Sequence, residues 1–155
     1  MEILKNNWNI EIITSTKNKI VFEIESNKVF IDDLWVDYPG EYEKAWILLE
    51  VKEYNNILFY SFTVDTKHLV LITNDSFDLK EEILSFFWDV DVLIIIWSKE
   101  SAKIFENIEA RLVVPYWDWK QTFLTTLWQH PEMVANYKVK WELSDDNSEF
   151  VNLED

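Results

Sequence analysis

Cysteine is absent from the 155 residues, which excludes disulfides and thiolate metal sites. Histidine is nearly absent: His68 and His130 are the only two, and neither has a second histidine at i+2 or i+4, so a zinc-motif spacing is missing. No Gly-rich phosphate loop, G-x-S-x-G elbow or Ser/His/Asp ordering occurs. The longest apolar run, Val92 to Trp97, is far too short to span a bilayer, so no membrane segment is expected. No basic-then-apolar leader opens the sequence, and a cytoplasmic location is the expectation. Positive charge is scarce, with 14 Lys and Arg against 29 Asp and Glu, a formal net charge of −15. That balance opposes binding to a phosphate backbone, so nucleic acid is not an expected partner, and the acidity reads as a solvated surface. The length suits one domain over residues 1–155 with a real core.

Glycine is the most informative shortage. Average usage of about 7% would give roughly eleven glycines, whereas the chain has one glycine and nine tryptophans. Many of the tryptophans stand where backbone geometry asks for glycine. Trp8 lies in the turn composition Asn6-Asn7-Trp8-Asn9, and Trp88 and Trp128 each follow an apolar helical pattern where a helix-ending residue with φ > 0 belongs. Trp97 ends a buried strand pattern, Trp35 precedes the Pro-Gly pair, and Trp117 and Trp119 bracket Asp118. The expectation is that most of these codons are UGA, meant as glycine and read here as tryptophan. The alternative is a Trp-rich protein whose aromatics contact carbohydrate or peptide.

The single glycine sits in Asp37-Tyr38-Pro39-Gly40-Glu41-Tyr42-Glu43, between two strand-rich blocks. Pro39 fixes its own φ and biases Tyr38 toward an extended conformation, while Gly40 can take φ > 0, so a tight turn is expected. Before it, Ile10 to Ile13, Ile20 to Ile24 and Lys28 to Ile31 read as a three-strand meander. After it, Ile47 to Val51, Ile57 to Phe62 and His68 to Ile72 read as three more strands.

The period then changes. Asp78 with Glu81 is a capping-box arrangement before a helix over about 79–87, and Asp91 to Ile96 is a nearly continuous apolar run suited to a strand buried on both faces. Ser98 caps a helix to about Ile108, and Leu112 to Val114 is a short strand halted by Pro115. Asp118 with Gln121 opens a third helix whose apolar face is Phe123, Leu124 and Leu127. Two strands, Tyr137 to Leu143 and Phe150 to Leu153, close the chain as a hairpin around a polar turn. The expected class is α/β (α+β), packed as a four-layer αββα sandwich.

Among the carboxylates, Asp89 and Asp91 flank the mouth of the buried strand, a place better explained by solvation. Asp75, after Ile72-Thr73-Asn74, ends a strand where a metal-ligating aspartate projects. Asp118 is explained as a helix N-cap.

Tyr38-Pro39-Gly40-Glu41-Tyr42-Glu43, Asp89 to Ile96 and Ile108 to Pro115, taken together, resemble successive landmarks of the metallo-β-lactamase fold, in its small bacterial branch of metal-dependent hydrolase-like proteins. The resemblance covers residues 36 to 116 best, and Trp46, Trp88 and Trp97 fall on its glycine positions. It implies an αββα sandwich, here truncated, descended from zinc-dependent hydrolases. The family's H-x-H-x-D-H signature belongs between the early strands and the Pro-Gly turn, where this chain has only Phe30 to Val36. The metal-bridging aspartate matches Asp75, but the histidine expected three residues earlier is Ile72. In the segment resembling I-P-x-H, Val114-Pro115-Tyr116 is followed by Trp117.

The resulting expectation is a degenerate, non-catalytic scaffold with no catalytic residue and no cofactor, in which Asp75 is a vestigial ligand and Asp118 a weaker one. It acts in binding or assembly with a protein or small-molecule partner, and an exposed edge strand suits a homo-oligomer. The alternative is a hydrolase holding zinc on a reduced carboxylate site of Asp75 and Asp118.

Overall fold

A computed structural model of the chain describes residues 1–98, 100–117 and 120–155. Five short strands open it as an antiparallel meander: β1 (Glu2–Asn6), β2 (Asn9–Ile13), β3 (Lys19–Glu23), β4 (Lys28–Ile31) and β5 (Leu34–Val36). The register lines up one apolar face, with Ile3 opposite Ile12, Ile12 opposite Ile20 and Ile20 opposite Ile31. A second row runs Ile10, Phe22, Val29 and Val36. All eight are buried, as period-two alternation requires of a sheet with one dry face.

Pro39 and Gly40 then carry the chain from this sheet to the next. Gly40 has φ 147°, a region that side chains avoid, and a Cβ added there meets no atom within 4 Å. Conformation rather than space fixes glycine at this joint. The second sheet contains β6 (Gly40–Lys44), β7 (Ile47–Tyr54), β8 (Ile57–Val64), β9 (Lys67–Ile72), β10 (Val90–Ile96), β11 (Ala110–Tyr116) and, near the end of the chain, β14 (Glu149–Phe150). Its order is β14-β11-β10-β9-β8-β7-β6; pairs from β6 to β9 are antiparallel and those from β9 through β14 parallel.

β10 and β11 are buried parallel neighbours with α2 (Ser101–Asn107) crossing between them. Along β10, Val92 and Ile94 face the first sheet while Leu93 and Ile95 face the helices, which explains the unbroken apolar run.

The described helices all cover this second sheet. Ile83 of α1 (Glu81–Leu84), Phe86 and Phe87 of the 3-10 turn after it, Ile104 of α2, and Phe123 and Leu124 of α3 (Lys120–Thr126) pack into one cluster on its outer side. The described residues therefore stack as helices, sheet, sheet, a strand-rich three-layer arrangement of mixed α and β class. The expected fourth layer, helices over the first sheet, is not formed among them. That sheet's outer face alternates Leu4, Val21 and Phe30 with Glu11, Lys19, Glu23 and Lys28, and a face so interrupted offers a helix no continuous apolar stripe.

Several local expectations are corrected. The 79–87 helix is reduced to α1 and a 3-10 turn, and its N-cap is Lys80 without a side-chain cap bond, so Asp78 does not cap it. Strands β1, β5 and β6 escape the sequence reading because each offers few inward apolar residues. The closing hairpin is absent. Residues 136–138 form β13, which pairs with β1, while β14 joins β11 in the other sheet and β15 (Asn152–Leu153) pairs with β12 (Met133–Val134). The polar stretch between them crosses from one sheet to the other instead of reversing. The third helix exists, but its expected cap at Asp118 lies outside the described residues.

The tryptophans divide. Trp46 is the second residue of a two-residue hairpin turn in which Ala45 and Trp46 have φ 53° and 65°, the pattern of a type I′ turn that favours glycine at that place. Trp128 has φ 57°, its amide bonds to the Thr125 carbonyl and the Gln129 amide to the Leu124 carbonyl, which is the Schellman ending with Trp128 in the glycine position. Both are exposed, at 84% and 86%, and Trp117 has φ 87°. Trp88 is also exposed, but its backbone is extended and the positive φ falls on Asp89. Trp97 departs fully from the glycine expectation: it is 6% exposed, with its ring centroid 4.5 Å from that of Phe123.

At one end the two sheets are fastened by Asp65, in the β8–β9 turn, whose carboxylate accepts bonds of 2.7 Å from the Ser15 amide and the Ser15 hydroxyl. Burial opposes ionisation of Asp65, yet these bonds hold its pKa below the ordinary carboxylate value. Lys140 and Tyr137 do the same for Glu149, against its partial burial. A lowered folded pKa contributes stability that is present above the unfolded value of about 4 and is lost as pH falls through the folded one. Urea midpoints are accordingly expected to stay flat from neutrality to about pH 5 and to drop below about pH 4. Asp65→Asn should flatten part of that drop; an unchanged profile would refute the assignment.

Candidate strand-end site

Parallel strands deliver their C-terminal ends to one edge, where ligand sites of such sheets are commonly built. Register places Ile72 opposite Ile95 and Tyr116 opposite Ile96, so β9, β10 and β11 stop at one level. The loops that follow carry Asp75, Ser98 and Trp117.

Tyr116 is the buried centre of this edge. Its hydroxyl donates to the Ile72 carbonyl at 3.3 Å and its ring meets Phe22 of the opposite sheet edge-on at 5.4 Å. Burial pushes its ionisation well above the ordinary phenol range, and the charge of Asp75 adds to that. The phenol is thus a neutral hydrogen-bond donor, and Asp75, half-buried, lies close enough for its charge to be felt there. The serines are committed to the backbone. Ser101 donates to the Ile96 carbonyl at 2.5 Å and accepts from the Ser98 amide at 3.0 Å, while the Ser98 hydroxyl accepts from the Glu100 amide at 3.1 Å.

Sequence reading missed Lys120. Its side chain is buried at the start of α3, donates to the Leu153 carbonyl, and lies 3.0 Å from Asp155, which also pairs with Lys5 at 2.7 Å. A Lys within a helical pattern gives no signal of burial, because the partners are 33 and more residues away.

Asp75 is the sequence candidate that stands at this edge; Asp118 lies outside the described residues. Histidines stand elsewhere. His68 is the second residue of β9, at the strand's opposite end, where its Nε2 meets the Ser61 hydroxyl at 2.6 Å and its Nδ1 the Asp89 carbonyl at 3.1 Å. His130 is exposed beyond α3. Among the described residues no group of three His, Cys, Asp or Glu side chains converges as a metal site. A zinc ion needs three or four donors from such residues, and the described residues do not fit one.

Asp89 and Asp91 belong to that opposite end too. Arg111 holds both, with Nη2 2.7 Å from Asp89 and Nη1 3.1 Å from Asp91, while its Nε reaches Asp145 at 2.6 Å. The three carboxylates raise the pKa of the guanidinium above its already high value. Asp91 also accepts the His68 amide at 2.8 Å, so these aspartates brace strand starts.

No protein-family model matches the sequence. The search of curated proteins found no match. Among solved structures, a Thermotoga maritima protein assigned as a zinc-dependent hydrolase of the metallo-β-lactamase superfamily superposes with a TM-score of 0.76 at 13% identity. The alignment covers 99% of this chain and 98% of that one, so against that chain the expected truncation is not seen. No described helix is long and apolar enough to cross a membrane. The chain has the fold of a metallo-β-lactamase superfamily protein.

Proposed function

We propose that residues 1–155 act as one metallo-β-lactamase-fold domain that binds a partner and does not catalyse hydrolysis. The observation that carries this reading is the donor set at the strand ends. Asp75, the buried phenol of Tyr116 and the buried ammonium of Lys120 stand at that edge, and neither histidine does. The ammonium of Lys120 presents donors and no lone pair, so it suits an acceptor-bearing ligand and repels a cation, while the Tyr116 hydroxyl is already committed to the Ile72 carbonyl. The ligand is a small molecule or a protein, in the cytoplasm; the net charge of −15 disfavours nucleic acid and anionic membranes. Self-association through an edge strand belongs to the same reading.

Elemental analysis of protein purified without chelators tests it. The expected result is no stoichiometric zinc, manganese or iron, and no hydrolysis of lactam, thioester or phosphodiester substrates above background. About one metal per chain, lost on Asp75→Ala, would establish the competing reading, a hydrolase with zinc on Asp75 and Asp118.

We also propose that most of the tryptophans occupy glycine positions through UGA codons. Positive φ at Trp46, Trp117 and Trp128 supports this, and the coding sequence read at the nine positions decides it.

A further inference from the structure

We propose that Lys5 and Lys120 form a binding site for a compact oxyanion, a carboxylate or phosphate group on a small ligand, which Asp155 fills from within the chain. Lys120 is the one buried basic side chain among the described residues, with 5% exposure, in a chain where acidic residues outnumber basic ones two to one. A lysine ammonium taken out of water needs an anion and good hydrogen bonds. Here it has the Leu153 carbonyl and one carboxylate oxygen, Asp155 Oδ1.

Lys5 brings the second charge. It extends from the end of β1 in the first sheet, with 10% of its side chain exposed, to the same Asp155 oxygen at 2.7 Å. Two ammonium groups, one from a strand of the first sheet and one from the start of α3, therefore share a single carboxylate oxygen. Holding residues 153–155 in place would need only Lys120 and the Leu153 carbonyl; the second cation is what an oxyanion site adds. Burial opposes ionisation of Asp155, yet the two lysines keep its pKa below the ordinary carboxylate value.

The surroundings have the form of an occupied site. An open recess of about 430 Å³, lined by Lys5, Asn7, Trp8 and Asp155, is of the size that takes a small molecule. Beneath it, beside Tyr116, Lys120 and Leu153, only about 10 Å³ is free, room for no more than one water. Asp155, itself 69% exposed, stands between the two. Its carboxylate can swing into solvent, whereas the ammonium of Lys120 cannot. A ligand oxyanion then replaces it oxygen for oxygen, with the rest of the ligand in the recess. The lysines and Asp155 carry this site whichever residue stands at positions 8 and 117.

The site rests on reading the strand-end edge as a binding face. Asp155→Ala protein is titrated with acetate and, separately, inorganic phosphate at constant ionic strength, followed by thermal unfolding and by the NMR amide shifts of residues 5, 120 and 153. Saturable binding at least about tenfold tighter than in the unaltered protein is expected, and the better of the two anions identifies the ligand group. Adding Lys5→Met should abolish the gain; this variant is used because loss of buried Lys120 also threatens the fold. No saturable shift in Asp155→Ala, or binding that survives Lys5→Met, overturns the proposal. Failure of the underlying binding reading is seen separately, as metal-dependent hydrolysis by the unaltered protein.

Discussion

Trp97→Gly is expected to lower stability by about 3–5 kcal/mol, as deletion of a buried large aromatic does, while Trp128→Gly raises it. Trp97 continues the ladder past β10, its amide bonded to the Tyr116 carbonyl at 3.1 Å, and its ring fills space against Phe123. Glycine there leaves a cavity beneath α3 and loosens the strand end. Trp128 presents the opposite balance. Its ring is in solvent, and its φ of 57° is one that L-residues other than glycine hold at a cost of roughly 1–2 kcal/mol. Glycine removes that strain and gives back part of it as unfolded-state entropy, for a net gain of up to about 1 kcal/mol, or about 2–4 °C in Tm. Trp46→Gly in the β6–β7 turn should behave like Trp128→Gly. Thermal unfolding of the three variants checks both signs; destabilisation by all three would show that neither Trp46 nor Trp128 stands at a glycine position.

Arg111→Met is expected to cost about 1–2 kcal/mol, because it leaves Asp91, the one largely buried carboxylate of the three, without its cation, while solvent screens the exposed Asp89 and Asp145. Each guanidinium nitrogen serves a different partner: Nη2 Asp89, Nη1 Asp91 and Nε Asp145. A single ammonium cannot reproduce that fork, so Arg111→Lys should recover less than half of the loss. Repulsion among the orphaned carboxylates is screened by salt, so the deficit of Arg111→Met should shrink from low to high ionic strength. Urea unfolding of the three proteins at two salt concentrations provides the measurement. A fully restored Arg111→Lys would mean that a point charge suffices and the fork is dispensable, whereas a deficit indifferent to salt would mean that the stem of Arg111 packs and its charge does little.

The sequence by itself determined whatever lies within one window of chain. Alternation in Ile10-Glu11-Ile12 set a strand and its buried face, the apolar cluster Ile20-Val21-Phe22 set a second strand, and the unbroken Val92 to Ile96 set a strand covered on both sides. Pro39-Gly40 marked the joint between the sheets, and the C′ position of Trp128 followed from the helical pattern before it. The tertiary structure decided everything that depends on which distant residues meet. Ile94 and Ile95 look alike in sequence, yet one faces the other sheet and one the helices. Trp97 and Trp128 both follow apolar runs, but only Trp97 has a neighbouring layer to enter. Lys5 and Asp155 are 150 positions apart, Arg111 and Asp145 are 34 apart, and Ser61 reaches His68 only through the β8–β9 register. Polar partners at such separations leave no periodic trace, because a side chain's own type fixes that it needs a partner while the path of the backbone fixes which one it finds.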